Sequence, residues 1–311
     1  MVRASAQAKK RIARIIYGTI ICILLIAAGF LIINFASQKE TMPKVIASNF
    51  VGYDFARAVI GDDTEIAMLL KPGGEIHDFE PTPEDVIKIK NADLFIYVGG
   101  ESDEWAQELL EDNEIPVSKT LRLMDYVETK KEAGEDEDDE HIWTSPVNAI
   151  KLVDAIRSRL SEIYPDKAEQ FAANVVSYTD RLTEIDARIR QVVAESPKKE
   201  LIFGDRFPFQ YFVDEYGLDY SAAFPGCAEQ TEASANTIAF LVDKARKDGI
   251  NVIMKIELSS DQLAKTIADE VGAKVLTLNS AHNISREDFE AGVTYADIME
   301  GNVEVLKEAL K

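Results

Sequence analysis

Residues 166–193 run without a glycine or a proline. Phe171, Val175, Tyr178, Leu182, Ile185 and Ile189 recur there at spacings of three and four, which is the period of one helix face. A helix of ~28 residues, rising 1.5 Å per residue, spans about 40 Å. That is too long for one layer of a small domain and suits a spine between two lobes. On both sides of it, short apolar runs alternate with helical patterns. The expected fold class is therefore α/β: two lobes of parallel sheet flanked by helices, joined by a single long rigid helix. The boundaries read as an N-terminal lobe over 41–163, a linking helix over 166–195 and a C-terminal lobe over 198–311.

In the first lobe, strands are expected at 45–48, 65–70 and 94–98, and helices at 53–60, 105–110 and 146–160. Lys71-Pro72-Gly73-Gly74 is a turn signal. Thr82-Pro83-Glu84-Asp85 is a helix start, with Thr as N-cap, Pro in the first turn and an acid at the third helical position. In the second lobe, strands are expected at 200–204, 252–256 and 274–278, and helices at 208–216, 237–247 and 261–271. Ser285-Arg286-Glu287-Asp288 reads as the start of the last helix.

The N-terminus carries a different signal. Lys9, Lys10, Arg11 and Arg14 precede an apolar run over 15–36. A bilayer core of about 30 Å needs ~20 apolar residues, and the h-region of a cleaved signal peptide is shorter, ~7–15 residues. The reading is an uncleaved transmembrane signal-anchor over 15–36 with a basic cytoplasmic flank over 1–14. Cleavage near Ala36 is the alternative. A lipoprotein reading through Cys22 is disfavoured, because Ile20 and Ile21 stand where a small residue is expected. Everything after about residue 38 is then extracytoplasmic. The net charge of −21 excludes nucleic acid as a natural partner, since phosphate binding needs clustered Lys and Arg. Cys22 and Cys227 make no disulfide framework, and without a CxxC pair a thiolate zinc site is not expected.

Histidine is scarce: His77, His141 and His282 are the three in 311 residues. Each follows a strand-like run or a loop and precedes a helix start. Ligands of open α/β sheets bind outside the carboxyl ends of the strands. His77, His141, Asp205 and His282 all fall there, two on each side of the spine, so one bound ion would bridge the lobes. A His-rich set with one carboxylate suits Zn²⁺; Mn²⁺ or Fe²⁺ accepts the same donors. The bland readings stand beside this one. An Asp after a strand often caps a turn. Glu257, at a strand end, reads as a supporting carboxylate, a ligand or a solvated end. Asn279 reads as a turn residue, Cys227 as a small buried loop residue, and the acidic run 132–140 as a solvated loop.

With these residues in place, the chain resembles a known family. The stretch KPGGEIHDFEPTPEDVIKIKNADLFIYVG, residues 71–99, is similar to the first ligand motif of the zinc/manganese-type solute-binding proteins of ABC importers, with His77 at the first metal histidine. EHIWTSPVNAIKL resembles the second motif, with His141 at the second metal histidine. FPFQYFVDEYGLDYSAAFPGCAEQTEAS resembles the third region, followed by VIMKIELSSDQLAKTIADEVGAKVLTL. The resemblance covers residues 44–310. It implies two α/β lobes on a rigid helix, one metal between them and delivery of that ion to an ABC importer permease. Two positions depart from the family pattern. Asp205 stands where His or Glu is usual. Asn279 stands near the place of the usual Asp, so His282, three residues on, is expected to replace that ligand.

The expected function is an extracytoplasmic metal receptor, zinc first, that is not an enzyme and is a monomer held to the membrane by its N-terminal helix. Two other classes compete. A metal-dependent hydrolase needs an open coordination site and a base such as Glu257, and no HExxH motif is present. An adhesion protein on the same fold would hold its metal structurally.

Overall fold

The computed structural model describes residues 44–61, 65–77, 79–132, 136–226 and 233–311. β1 (Val45–Ala47), β2 (Ile66–Met68), β3 (Leu94–Tyr97) and β4 (Thr120–Arg122) form one sheet in the order β2-β1-β3-β4. β5 (Glu200–Phe203), β6 (Asp219–Ala222), β7 (Val252–Lys255) and β8 (Lys274–Thr277) form a second in the order β6-β5-β7-β8. Every pairing within the two sheets is parallel. The lobes repeat one topology although their sequences show no repeat. In each, the strand order reverses beside the first strand, at β1/β3 and β5/β7, which is where such sheets open a crevice for ligand.

The strands alternate between two cores, as the period of two requires. Val45 and Ala47 of β1 face the central core, and Ile46 faces an outer cluster with Ile89, Phe95 and Ala106. Leu201 and Phe203 of β5, with Val252 and Met254 of β7, face the same central core, while Ile202 and Ile253 face an outer cluster with Leu241 and Ile267. Burial on both faces explains why these strands read as continuous apolar runs. The central core is shared by both lobes.

The first lobe carries α1 (Phe50–Ile60), α2 (Pro83–Asn91), α3 (Glu104–Asp112) and α4 (Pro146–Ile163). The spine is α5 (Ala168–Glu195), 28 residues long. The second lobe carries α6 (Gln210–Tyr216), α7 (Ala235–Asp248), α8 (Gln262–Val271), α9 (Arg286–Glu290) and α10 (Tyr295–Ala309). Of the stripe read from the sequence, Phe171, Val175, Leu182, Ile185 and Ile189 are buried in the central core, and Tyr178 packs against it half-buried. On the flank of α5, Arg181 pairs with Asp297 at 2.8 Å and Glu300 at 2.9 Å of α10. A buried carboxylate ties three helices together: Asp54 Oδ2 accepts from Tyr178 Oη of α5 at 2.7 Å and from the Tyr295 amide of α10 at 2.9 Å. Burial pushes the Asp54 carboxyl up, and Arg57 beside it opposes that.

Three features differ from the sequence reading. β4 and β6 carry polar residues, Thr120 and Arg122 in one and Asp219 and Ser221 in the other, and lie at sheet edges, so no apolar run announced them. Ser285 opens only the short α9; Gly292 has φ 76° and breaks the chain before a second helix. That helix, α10, starts on its own capping box of Thr294 and Asp297. The basic flank 1–14, the apolar run 15–36 and Cys227 lie outside the described residues. Among the described residues, no helix is long and apolar enough to cross a membrane.

Candidate metal centre

The type of turn sets the first donor. Pro72 and Gly73, with Gly73 at φ 80°, close Lys71–Gly74 as a tight turn in which the Gly74 amide donates to Lys71 O at 2.9 Å. The chain leaves this turn after β2 and reaches His77 three residues on. The second donor segment follows β4. Residues 130–132 pair back on 137–139 as a small hairpin, with Asp139 N donating to Lys130 O at 2.7 Å and Glu132 N to Glu137 O at 2.9 Å. Tyr211 of α6 grips its base: its hydroxyl accepts from Lys130 N at 3.0 Å and donates to Asp139 O at 2.7 Å. The hairpin delivers Asp139, Glu140 and His141, all buried. The last donor segment follows β8, where the Glu257 carboxylate at the end of β7 accepts from Ser280 N at 2.7 Å, Ser280 Oγ at 2.6 Å and His282 N at 3.0 Å.

These loops bring three histidines together. The His141 and His282 ring centroids are 4.9 Å apart, and those of His77 and His282 are 5.7 Å apart. The Nε2 atoms of all three are buried. Asp139 Oδ1 lies 2.8 Å from His141 Nδ1 and also accepts the His141 amide at 2.8 Å. A carboxylate there keeps the proton on Nδ1 and leaves Nε2 with its lone pair for a metal. Trp143 Nε1 donates to Ser280 O at 2.8 Å, which binds the His141 segment to the His282 loop.

The carboxylate that joins His77 and His282 is Glu140. One donor atom each from His77, Glu140 and His282 lies within 4.8 Å of the others. His282 Nε2 and Glu140 Oε1 are 3.9 Å apart. Donors around a tetrahedral Zn²⁺ at about 2.0–2.1 Å stand ~3.4 Å from one another, so a small closure completes the geometry. Glu140 Oε2 accepts from the Ser102 amide at 3.0 Å. Oε1 is buried with no hydrogen-bond partner among the described residues. A buried carboxylate oxygen left so is costly, and a cation is its natural partner. Gly100 makes room for it: a Cβ there would stand 2.2 Å from Glu140 Cβ. Beneath this loop, Asp103 Oδ2 accepts from Ser48 Oγ at 3.1 Å, Val98 N at 2.6 Å and Gly99 N at 3.3 Å. Burial first, then the charge of Glu140, pushes the Asp103 carboxyl up to about 6.

Asp205 is placed differently. It follows β5 as expected, but its Oδ1 accepts from Arg206 N at 2.8 Å, and its Oδ2 accepts from Ile256 N at 3.0 Å and from Ser259 Oγ. It ties the loop after β5 to the loop after β7 and is not in the donor group with His77, Glu140 and His282; His141 is not in that group either, but its ring stands beside that of His282, whereas both Asp205 oxygens are taken by hydrogen bonds. Asn279 accepts the Ala281 amide at 2.8 Å, a turn role, and Glu257 holds the His282 loop by its backbone. Sequence reasoning passed over Glu140 because it ends the acidic run. What sets it apart is its burial, with that of His141, Ile142 and Trp143 after it, and that shows only in the structure. A cavity of about 230 Å³ lined by Glu75, Arg206, Glu257, His282 and Asn283 opens beside His282. Arg206 and Glu75 face each other there across the lobes at 3.5 Å.

Comparison with known proteins gives a consistent match. Residues 45–309 match the family described as zinc-uptake complex component A, periplasmic. The chain is 32% identical over 290 residues to the zinc-binding protein AdcA of Streptococcus pyogenes serotype M18, covering 86% of this chain and 56% of that protein. It is 31% identical over 288 residues to the high-affinity zinc uptake system protein ZnuA of Bacillus subtilis strain 168, covering 88% of this chain and 90% of the relative. The chain thus spans about half the length of the AdcA relatives. The Zn(II)-bound ZnuA-like domain of Streptococcus pneumoniae AdcA superposes with a TM-score of 0.74 at 32% identity, over 86% of this chain and 98% of that domain.

Proposed function

The chain belongs to the zinc-uptake component A (ZnuA) family, and from that premise we propose that it is an extracytoplasmic receptor that binds Zn²⁺ between its lobes and delivers it to an ABC importer permease. The observation that carries this reading is the donor group of His77, Glu140 and His282, with the buried His141 ring beside His282, in the loops that follow the strands of both sheets. His77, His141, His282 and Glu140 are the ligands of this proposal. Nitrogen and oxygen donors without thiolate suit zinc. Four protein donors leave no open position for an activated water, which favours carriage of the ion over hydrolysis. The names of the AdcA and ZnuA relatives favour zinc over manganese or iron. In the same reading the chain is a monomer, the lobes are 41–163 and 198–311 on the helix 166–195, and residues 15–36 anchor it to the membrane.

The test is zinc titration of the full chain in detergent against a chromophoric chelator. His77→Ala, His141→Ala and His282→Ala should each weaken binding by at least about 100-fold, more than the ~10–100-fold typical of an outer-shell change. Glu140→Gln should weaken it strongly and Asp205→Asn much less. If the three histidine variants all bind as wild type does, the site is elsewhere. If Asp205→Asn matches the histidine losses and Glu140→Gln does not, Asp205 is the carboxylate ligand.

A further inference from the structure

The His77 and His282 loops come from opposite lobes, and one side chain joins them. Asn283 follows His282 directly and is 5% exposed. Its Nδ2 donates to Gly74 O at 2.5 Å and Lys71 O at 3.2 Å, the two ends of the turn that leads to His77. Its Oδ1 accepts the Ile284 amide at 2.7 Å. Next to it, the Gly73 amide donates to Ile284 O at 2.8 Å. The turn exposes these carbonyls because Gly73 takes the positive φ of its third position. On its other side, the same loop is held to the C-terminal lobe by Glu257.

We infer that Asn283 is a positioning residue for the metal: its amide clamps the His77 turn to the His282 loop and so sets the separation of the two imidazoles. The inference rests on the metal-site reading above. The physical reason is preorganisation. Two loops on separate lobes would each have to be ordered when the ion binds, and a clamp made beforehand removes that cost from binding. The role needs a donor. Both protein partners of Nδ2 are carbonyl oxygens, which can only accept.

Donor identity makes the test sharp. Asn283→Asp keeps the side-chain shape and the acceptor for Ile284 but turns an oxygen toward the two carbonyls. It also places a negative charge beside a cation site, which by itself would tighten cation binding. The clamp predicts the opposite: Zn²⁺ affinity of the full chain should fall about 10–100-fold, the usual cost of losing an outer-shell partner. Asn283→Ala should fall similarly, with metal-free circular dichroism unchanged. If Asn283 acts through His77, the loss should shrink to within about twofold in a His77→Ala background, because coupled sites are not additive. Tighter or unchanged zinc binding by Asn283→Asp overturns the inference, and so does a loss of the same size in the His77→Ala background. Wild-type chain that binds no zinc would instead bring down the metal-site reading. Wild type that binds, with histidine variants that do not and Asn283 variants that do, brings down this inference alone.

Discussion

At the scale of single residues, the site is governed by where carboxylates are left to point. Asp139, Glu140 and Asp205 are all buried, and each has a different task. Asp139 fixes the tautomer of His141, Glu140 keeps one oxygen toward the histidines, and Asp205 spends both oxygens on loop backbone and Ser259. Asp103 lies behind Glu140 with its carboxyl raised from the ordinary 3.8 to about 6. A raised acid binds its proton more tightly in the folded chain, so its contribution is complete below the ordinary value and is lost as pH rises through about 6. A rise of that size corresponds to about 3 kcal/mol. Asp103→Asn should therefore match wild type in acid and become the more stable protein above pH about 6. Thermal melts of the metal-free chain from acid to neutral pH measure this, and parallel curves would refute it.

At the scale of elements, α5 is the member on which the lobes depend. Leu182 is fully buried in the core that both lobes share. Leu182→Ala should cost about 2–5 kcal/mol, the range for a buried large-to-small change, read as a lower denaturation midpoint with unchanged slope. A loss below about 1 kcal/mol would mean that the spine is not packed as described. The periodic stripe of α5 was legible in the sequence because a helix face repeats locally. The edge strands were not: β4 and β6 are held by neighbours on one side and carry polar residues, so nothing in their own pattern marks them. The break between α9 and α10 was missed for a related reason. Two consecutive capping signals, Ser285 with Asp288 and Thr294 with Asp297, lie close enough to read as one helix start.

At the scale of the whole molecule, binding and stability are one linked equilibrium. An ion that binds only the folded chain adds RT ln(1 + [Zn²⁺]/Kd), about 2.7 kcal/mol at one hundred times Kd. Zinc should raise the melting temperature, a chelator should reverse this, and the metal-free chain should remain folded on its own two sheets. Loss of fold on chelation would favour a structural metal instead. Because imidazole must be neutral to ligate, the zinc-induced rise should shrink as pH falls, and the three His ligands of the proposed site would make that fall steep. Melts with and without zinc across pH test it.

What the sequence determined by itself is what local physics decides: strand and helix periods, the Lys71–Gly74 turn, the long spine and the scarcity of histidine at strand ends. His77, His141 and His282 stand out as candidates on that ground, and in the structure their rings lie side by side. Only the tertiary structure decided which carboxylate faces them and what holds them in place. Glu140 and Asp205 are both acids in loops, and they are separated by how many of their oxygens backbone amides occupy: one in Glu140 and both in Asp205. Asn283 reaches Lys71 across 212 residues of sequence, a contact no local pattern encodes. Periodicity is a property of neighbours along the chain. Hydrogen-bond satisfaction at a buried site is a property of neighbours in space.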